Sequence, residues 1–563
     1  MYFIDIECYP NYFLMVYTSD GETYHRTSDR DEISKMLKQQ TVGFNSLRYD
    51  IPMMRYYASG ADEAECHAMS CEIINGDMRP VIHKRHIDLW DVAPGVQIGL
   101  KLYGGRMHTR TIQDLPFDPM VPLTDEQKQT VSDYCVNDVR VLWELYQRLL
   151  QQIKLRRHMS REYGRDMMSK SDAQMAEVVM LSQLPSTSRP KIQTGRTYRY
   201  RVPDWMWYET AELQQLLNGV KSSRFVINKK GDITIPDALK TTVKIGDSVY
   251  RLGIGGLHSS ETTVSHYAGE RHIIDCDVAS YYPSIIINSQ LYPPQFGEHF
   301  LDVYQTIVTR RLVAKRSGDT VTADSLKITI NGGFGKLNSK YSTLYAPELF
   351  FHVTVTGQLA LLMLIEQLEL AHIPVVSGNT DGIVTMPTDA QLPTLRAIIA
   401  LWEAETGYVM EETHYRSIHS RDVNNYVAVK TDGSAKSKGV YAKGGLMKNP
   451  QMEIIGEAVT EHLCSGVPVE QTISRCTDIT KFVTVRTVKG GGVWRGDYLG
   501  KVVRWYWSTN GEPITYRSNG NKVATSDGAK PAMTLPETFP GDVDRQRYID
   551  AALDALKLLG VQL

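Results

Sequence analysis

Apolar and polar positions alternate from the first residues of the chain. The run Tyr2-Phe3-Ile4-Asp5-Ile6 predicts a strand that sends Asp5 and Glu7 to one face and Ile6 to the other. A helical period takes over from about Asp125 to Gln151, where Val131, Cys135, Val139, Leu142, Leu145 and Leu149 recur every three or four positions. Tyr134 and Asp138 stack on one face of that helix. Further along, Ile273-Ile274-Asp275-Cys276-Asp277-Val278 predicts a buried strand that breaks by Pro283, with Asp277 at its end and Asp275 on the same face. Residues 375–384 read as strand, turn and strand, a hairpin with Asp381 at its tip. Pro-rich breaks fall at Leu184-Pro185-Ser186-Thr187-Ser188-Arg189-Pro190 and Leu291-Tyr292-Pro293-Pro294, and a helix is predicted from Asp544 to Leu559.

Length changes this picture only by allowing three or four domains in 563 residues. With 42% hydrophobic and 22% charged residues the chain is of ordinary globular composition, which excludes collagenous, disordered and membrane-embedded classes. Seven cysteines without a Cys-x-x-Cys pair predict reduced thiols and an intracellular protein. Met1-Tyr2-Phe3-Ile4-Asp5 lacks a basic and then apolar leader, and Leu359 to Ile365 is far shorter than the ~20 residues a bilayer needs. A cytoplasmic location and no membrane partner are expected. Net charge is −2, but residues 1–150 hold 15 Lys/Arg against 22 Asp/Glu, and residues 421–530 hold 16 against 10. An acidic front and a basic rear suit a metal-binding carboxylate site joined to a phosphate-gripping surface.

Asp5, Glu7, Asp50 and Asp138 are hard oxygen ligands of the kind that hold Mg²⁺ or Mn²⁺, and Tyr134 is a phenol able to orient an attacking water. Singly, each reads equally as a helix cap, a surface charge or a salt-bridge partner. Jointly and in this order, Asp5-Ile6-Glu7, Asn45-Ser46-Leu47-Arg48-Tyr49-Asp50 and Tyr134-Cys135-Val136-Asn137-Asp138 resemble the Exo I, Exo II and Exo III motifs of DnaQ-like 3′→5′ exonucleases. Gly99-Leu100-Lys101-Leu102-Tyr103 resembles a single-strand-binding segment of related polymerases, with Gly99 in place of the usual Ser or Thr. The resemblance implies DNA contacts at Asn45, Tyr49 and Lys101. Cys66, His67, Cys71, His83 and His86 form a competing cluster, but their spacing fits no strong zinc pattern, and no zinc is expected.

Asp277-Val278-Ala279-Ser280-Tyr281-Tyr282-Pro283-Ser284 resembles motif A of family B DNA polymerases. Lys327-Ile328-Thr329-Ile330-Asn331-Gly332-Gly333-Phe334-Gly335 resembles motif B, in which Lys327 and Asn331 share a helix face toward the incoming triphosphate and the glycines admit a base pair. Arg311 and Lys315, also four apart, offer a second cationic pair. Ser377-Gly378-Asn379-Thr380-Asp381-Gly382 resembles motif C, with Asn379 in place of the first Asp and Asp381 as the metal-binding second. Tyr282 would lie under the sugar and collide with a 2′-OH. Ile254-Gly255-Gly256 resembles the Tyr-x-Gly-Gly linker without its tyrosine, and Asn424-Asn425-Tyr426 the Lys-x-Tyr motif without its lysine, for which Lys438 offers a nearby cation. Lys489 and Arg495 flank a glycine run suited to phosphates. No Walker A run and no Gly-x-Ser-x-Gly occurs, so ATPase and hydrolase readings lack support.

Six motifs in order over residues 1–450 resemble a family B DNA polymerase of the compact kind that phages and plasmids encode. The fold class implied is multidomain α/β and α+β: an RNase H-like, DnaQ-type exonuclease followed by palm, fingers and thumb. Expected boundaries are 1–150 exonuclease, 151–265 linker and pre-palm, 266–300 palm, 301–340 fingers, 341–450 palm, and 451–563 thumb and C-terminal region. The implied activity is template-directed addition of dNTPs to a primer 3′-OH, with 3′→5′ proofreading and two Mg²⁺ (or Mn²⁺) per active site. Primer–template DNA and dNTPs are the implied partners, with a single-strand-binding protein, helicase or clamp as accessories. Asp277 to Lys327 and Asn331 to Asp381 each span 50 positions, too few for large insertions, so no terminal-protein partner is expected. The alternative is an exonuclease whose polymerase half only binds DNA.

Overall fold

The computed structural model describes residues 1–76, 80–94, 98–253 and 255–562. They form two compact units. The first comprises Met1–Ser171, Lys443–Ile455 and Ile473–Ile549, and the second Asp172–Ala442, Gly456–Thr472 and Asp550–Leu563.

In the first unit a five-stranded sheet runs in the order His25–Thr27, Tyr12–Thr18, Tyr2–Tyr9, Thr41–Gly43, His86–Asp88. The first three strands are antiparallel, and the last two run parallel to Tyr2–Tyr9. Alternation along the opening strand feeds two cores. Ile4, Ile6 and Cys8 pack on one side with Phe13, Ile51, Met54 and Cys66. Phe3 packs on the other side with Leu14, Val16 and the apolar stripe Cys135, Val139, Leu142, Leu145 and Leu149. Asp5 and Glu7 share the parity of Phe3 and so face the helix that carries this stripe. That helix, Asp125–Arg148, begins in a capping box between Thr124 and Gln127, and a second helix, Leu150–Tyr163, continues beyond a break at Leu149.

The last residues depart from expectation. A contiguous 451–563 region does not form. Instead a four-stranded sheet, in the order Thr515–Tyr516, Thr484–Trp494, Asp497–Trp507, Ala529–Pro531, folds with the N-terminal unit. The cause is a buried cation: the Arg504 guanidinium donates to the carbonyls of Thr109 (2.7 Å), Arg110 (2.9 Å), Ala532 (2.7 Å) and Met533 (3.1 Å). Gly105 makes the close approach possible, because a Cβ there would lie 2.5 Å from the Val485 side chain.

The second unit is built on an antiparallel sheet, ten-stranded among the described residues. Its order is Ala435–Ser437, Asn425–Lys430, Met410–Asp422, Ile273–Val278, Gly382–Thr385, Val375–Asn379, His258–Ser259, Ser248–Arg251, Thr242–Ile245, with Thr262–Tyr267 also paired to Met410–Asp422. Helix Pro347–Leu370 fills the core against this sheet. It is long and apolar enough to cross a membrane, but 89% of its most apolar window is buried inside the protein. Two of its buried polar side chains are paired: Glu366 accepts from the Glu209 and Thr210 backbone N–H groups at 2.9 and 2.8 Å, and Gln358 exchanges two hydrogen bonds with the Gly253 backbone. Helices His299–Ser317 and Thr320–Leu337 pack on one another, and Asp172–Leu181 packs on the latter. A Cβ on Gly332 would lie 2.7 Å from the Ala176 Cβ, and one on Gly333 2.5 Å from the Met180 sulfur. These two glycines therefore seat a neighbouring helix rather than leave a face open for a base pair, as the sequence had suggested.

Candidate active sites

The first unit gathers four carboxylates. Asp5 and Glu7 project from the opening strand, Asp50 begins the helix Asp50–Ala58 and is 4% exposed, and Asp138 comes from the facing helix with Tyr134 one turn before it. They are close enough to perturb one another. Burial raises the Asp5 carboxyl well above its ordinary value, and Asp50, Asp138 and Glu7 raise it further. Burial and Asp138 do the same to Glu7, offset in part by Lys101. Burial pushes Asp50 up to about 7 and Asp138 up to about 6, where Lys101 and a hydrogen bond from Tyr134 restrain it. Among the described residues, Asp5, Glu7 and Cys135 place ligand atoms within 4.8 Å of one another, and the Cys135 thiol donates to Asp5 Oδ2 at 3.7 Å. Buried anions that raise one another's pKa, built from hard oxygen donors, fit a divalent cation.

Lys101 stands beside this cluster, its Nζ 4.8 Å from the Tyr134 ring centroid and 3.4 Å from Asp114 Oδ1. Asp114 also accepts from the Tyr498 hydroxyl at 2.8 Å. Neither Asp114 nor Cys135 was legible in the sequence as part of a site. Asp88 was missed as well. It is 3% exposed and accepts from the backbone N–H groups of Asn45 (2.8 Å), Leu47 (3.0 Å) and Trp90 (3.0 Å), so it shapes the loop that delivers Asp50. Asn45 itself sits at φ +58°, a left-handed conformation this loop holds in place. The Tyr49 hydroxyl lies 2.7 Å from Ser70 Oγ. The five residues weighed for zinc do not converge. Cys66 is in the core, His86 bonds Thr41 and Ser46, His83 meets Arg55, and His67 lies 3.8 Å from Cys71.

The second unit gathers a different set. Asp277 ends its strand opposite Gly382, the residue after Asp381, and the Val278 N–H donates to the Asp381 carbonyl at 2.8 Å. A Cβ on Gly382 would overlap the Asp277 carboxylate, so glycine is what lets that carboxylate lie against the hairpin. Burial and Asp275 push Asp277 up to about 6, and burial raises Asp381 against the pull of Lys438 and Lys436. Asp275 is on the same face, as the alternation predicted. Its side chain is 8% exposed, accepts from the Tyr415 hydroxyl, and pairs with Lys436 at 2.9 Å. Lys436 also lies 3.6 Å from Asp277. Of this stretch the sequence singles out only Lys438, not Lys436.

Several other expected residues meet here. The Arg311 guanidinium donates to Ser280 Oγ at 3.0 Å, and Lys315 pairs at 3.7 Å with Glu411, the register partner of Asp277. Tyr282 packs its ring 4.7 Å from Phe334 and donates to the Gly255 carbonyl at 3.3 Å. Gly256, at φ +144°, approaches Thr380 so closely that a Cβ would lie 2.9 Å from its side chain. Ile254 lies outside the described residues. The Lys438 ammonium is 5.9 Å from the Tyr426 ring centroid. Lys327 and Asn331 are exposed on the helix face opposite Leu326, Thr329 and Ile330. In the first unit Lys489 is exposed, but Arg495 stacks on Trp494 and pairs with Glu512 at 2.8 Å, so its charge is already matched.

No family model matches the chain, and no curated protein matches it in sequence. Among solved structures, the family B DNA polymerase from the hyperthermophilic archaeon Pyrobaculum calidifontis is similar to it at 13% identity and a TM-score of 0.42, over 100% of this chain and 78% of that one. The likeness is distant.

Proposed function

We propose that this chain is a template-directed DNA polymerase of family B with a 3′→5′ proofreading exonuclease, the RNase H-like exonuclease lying in the first unit and the palm and fingers in the second. The observation that carries the reading is the presence of two separate acidic centres in two separate units. One combines a strand with two helices (Asp5, Glu7, Asp50, Asp138), and the other a strand end with a hairpin tip (Asp277, Asp381). Each matches the motif order met along the sequence.

Asp277 and Asp381 would hold Mg²⁺ or Mn²⁺ in the palm, and Asp5, Glu7, Asp50 and Asp138 in the exonuclease. When bound, such ions polarise the reacting oxygens of a phosphodiester or triphosphate. The chain's own side chains do the rest. Arg311, Lys315, Lys327 and Asn331 grip the triphosphate of the incoming nucleotide, and Tyr282, fixed between Phe334 and Gly255, excludes a 2′-OH. Tyr134 orients the attacking water in the exonuclease, and Lys101 offsets the crowded negative charge around it. Lys438 beside Tyr426 faces the primer strand. The work done is genome replication of a phage or plasmid kind in the host cytoplasm. Primer extension with dNTPs or NTPs, with and without Mg²⁺, tests the reading: dNTP-dependent, metal-dependent extension supports it, and degradation without any extension favours the exonuclease-only alternative.

A further inference from the structure

Two carboxylates and one ammonium form a compact group in the second unit. Asp275 and Asp277, two positions apart on Ile273–Val278, present their side chains on one face. Lys436 comes from Ala435–Ser437, three strands along the sheet with Asn425–Lys430 and Met410–Asp422 between, where it lies opposite Ala428. It ends 2.9 Å from Asp275 and 3.6 Å from Asp277. Tyr415 holds Asp275 from the other side, and Tyr426, Lys438 and Asp381 border the group. A compact ammonium with three donors can serve two carboxylates at once, which a planar guanidinium does less well.

We infer that Lys436 is a positioning residue that occupies the Asp277 carboxylate until a divalent cation displaces it, with Asp275 as the seat to which it withdraws. The inference rests on the proposed function only in taking Asp277 as a cation ligand. Asp275 is the more buried and the closer of the two partners. The ammonium can therefore release Asp277 and still leave no buried carboxylate without a counter-charge, a costly state for any fold. Before the cation arrives, the same lysine keeps Asp277 and Asp275 from repelling one another and holds the strand end in its working shape. The ion must compete with it, so the site binds metal more weakly than its carboxylates alone would.

The test is a Mn²⁺ titration of the full chain without DNA or nucleotide, followed by the electron paramagnetic resonance signal of free Mn²⁺. An Asp5→Ala/Glu7→Ala background removes ligands from the first unit. Lys436→Met should lower the Mn²⁺ dissociation constant about tenfold, and Lys436→Arg should stay close to the background protein. Lys436→Met strands a buried Asp275, so Asp275→Asn/Lys436→Met serves as the second variant, and it should bind Mn²⁺ more tightly as well. Adding Asp277→Ala should erase the gain. Unchanged or weaker Mn²⁺ binding in Asp275→Asn/Lys436→Met, or a gain that survives Asp277→Ala, would overturn the inference. Failure of primer extension would refute the polymerase reading and leave this titration untouched.

Discussion

The side-chain amide of Asn379 donates to the Val423 carbonyl at 3.2 Å, and its oxygen accepts from the Thr380 hydroxyl at 3.0 Å. Asn379 thereby ties the hairpin that carries Asp381 to the turn between Met410–Asp422 and Asn425–Lys430. As sequence alone, Asn379→Asp would merely restore an acid usual in the resembling family. The structure assigns the amide a job that a carboxylate cannot do, because an aspartate has no donor for Val423. The expected outcome is a loss of about 1–2 kcal/mol in stability, read by denaturant titration, and about a tenfold fall in primer extension. Asn379→Gln, which keeps a donor but not its reach, should fall between.

Gly382 gives a sharper steric prediction. Gly382→Ala places a methyl group into the Asp277 carboxylate. Extension should drop at least a hundredfold while 3′→5′ degradation is unchanged, since no residue of the first unit is touched. Gel analysis of a labelled primer checks both activities at once.

The acidic cluster of the first unit makes stability depend on pH and metal. Asp50 and Asp138 titrate in the folded protein near 7 and 6, above their ordinary value, because burial disfavours their charged forms. A raised carboxyl stabilises the fold below its unfolded pKa, and that contribution is lost as pH rises through the folded value. The melting temperature of the metal-free protein should therefore fall as pH is raised from about 4 to about 7. Mg²⁺ or Mn²⁺ should restore it at pH 7 and above, and chelator should remove the gain. Asp50→Asn should flatten the upper part of the profile. A metal-free melting temperature that rises across this window would contradict the assignment.

Much of this was legible in the sequence because it is local. Period-two alternation put Asp5 and Glu7 on one face, and a helical period put Tyr134 and Asp138 on another. A turn between two short apolar runs raised Asp381 to a hairpin tip. What escaped depends on pairings between distant segments. Lys436 reaches Asp275 across 161 positions, and Arg504 reaches the Thr109 carbonyl across 395. Gly332 reads in sequence as room for a base pair, but helix Asp172–Leu181 packs against it. No pattern near Arg504 announces that residues 473–549 fold with the N-terminus, because the deciding feature is a set of backbone carbonyls in another segment.

Priming is a further test. The intervals between Asp277 and Lys327 and between Asn331 and Asp381 contain the helices Tyr281–Asn288, His299–Ser317 and Pro347–Leu370, the two ends of helix Thr320–Leu337, the strand Val375–Asn379 and their connections, with no additional subdomain. The chain should extend a nucleic-acid 3′-OH and displace a downstream strand poorly without helpers. On primed single-stranded circles it should stop near one circle length. Products many circle lengths long, or nucleotide transfer to a protein hydroxyl, would contradict this.

The central claim is that synthesis and degradation belong to two separate carboxylate centres, and one assay tests it most directly. A 5′-labelled primer on a template is incubated with Mg²⁺, with and without dNTPs, using the wild-type chain, Asp277→Ala, Asp381→Ala and Asp5→Ala/Glu7→Ala. Asp277→Ala and Asp381→Ala should lose extension by at least about a thousandfold and still shorten the primer, because each removes a carboxylate that would hold the cations offsetting the charge of the reacting phosphates. Asp5→Ala/Glu7→Ala should extend the primer, cease to shorten it, and misincorporate more often. Near wild-type extension by Asp277→Ala or Asp381→Ala, or wild-type shortening by Asp5→Ala/Glu7→Ala, would contradict the account.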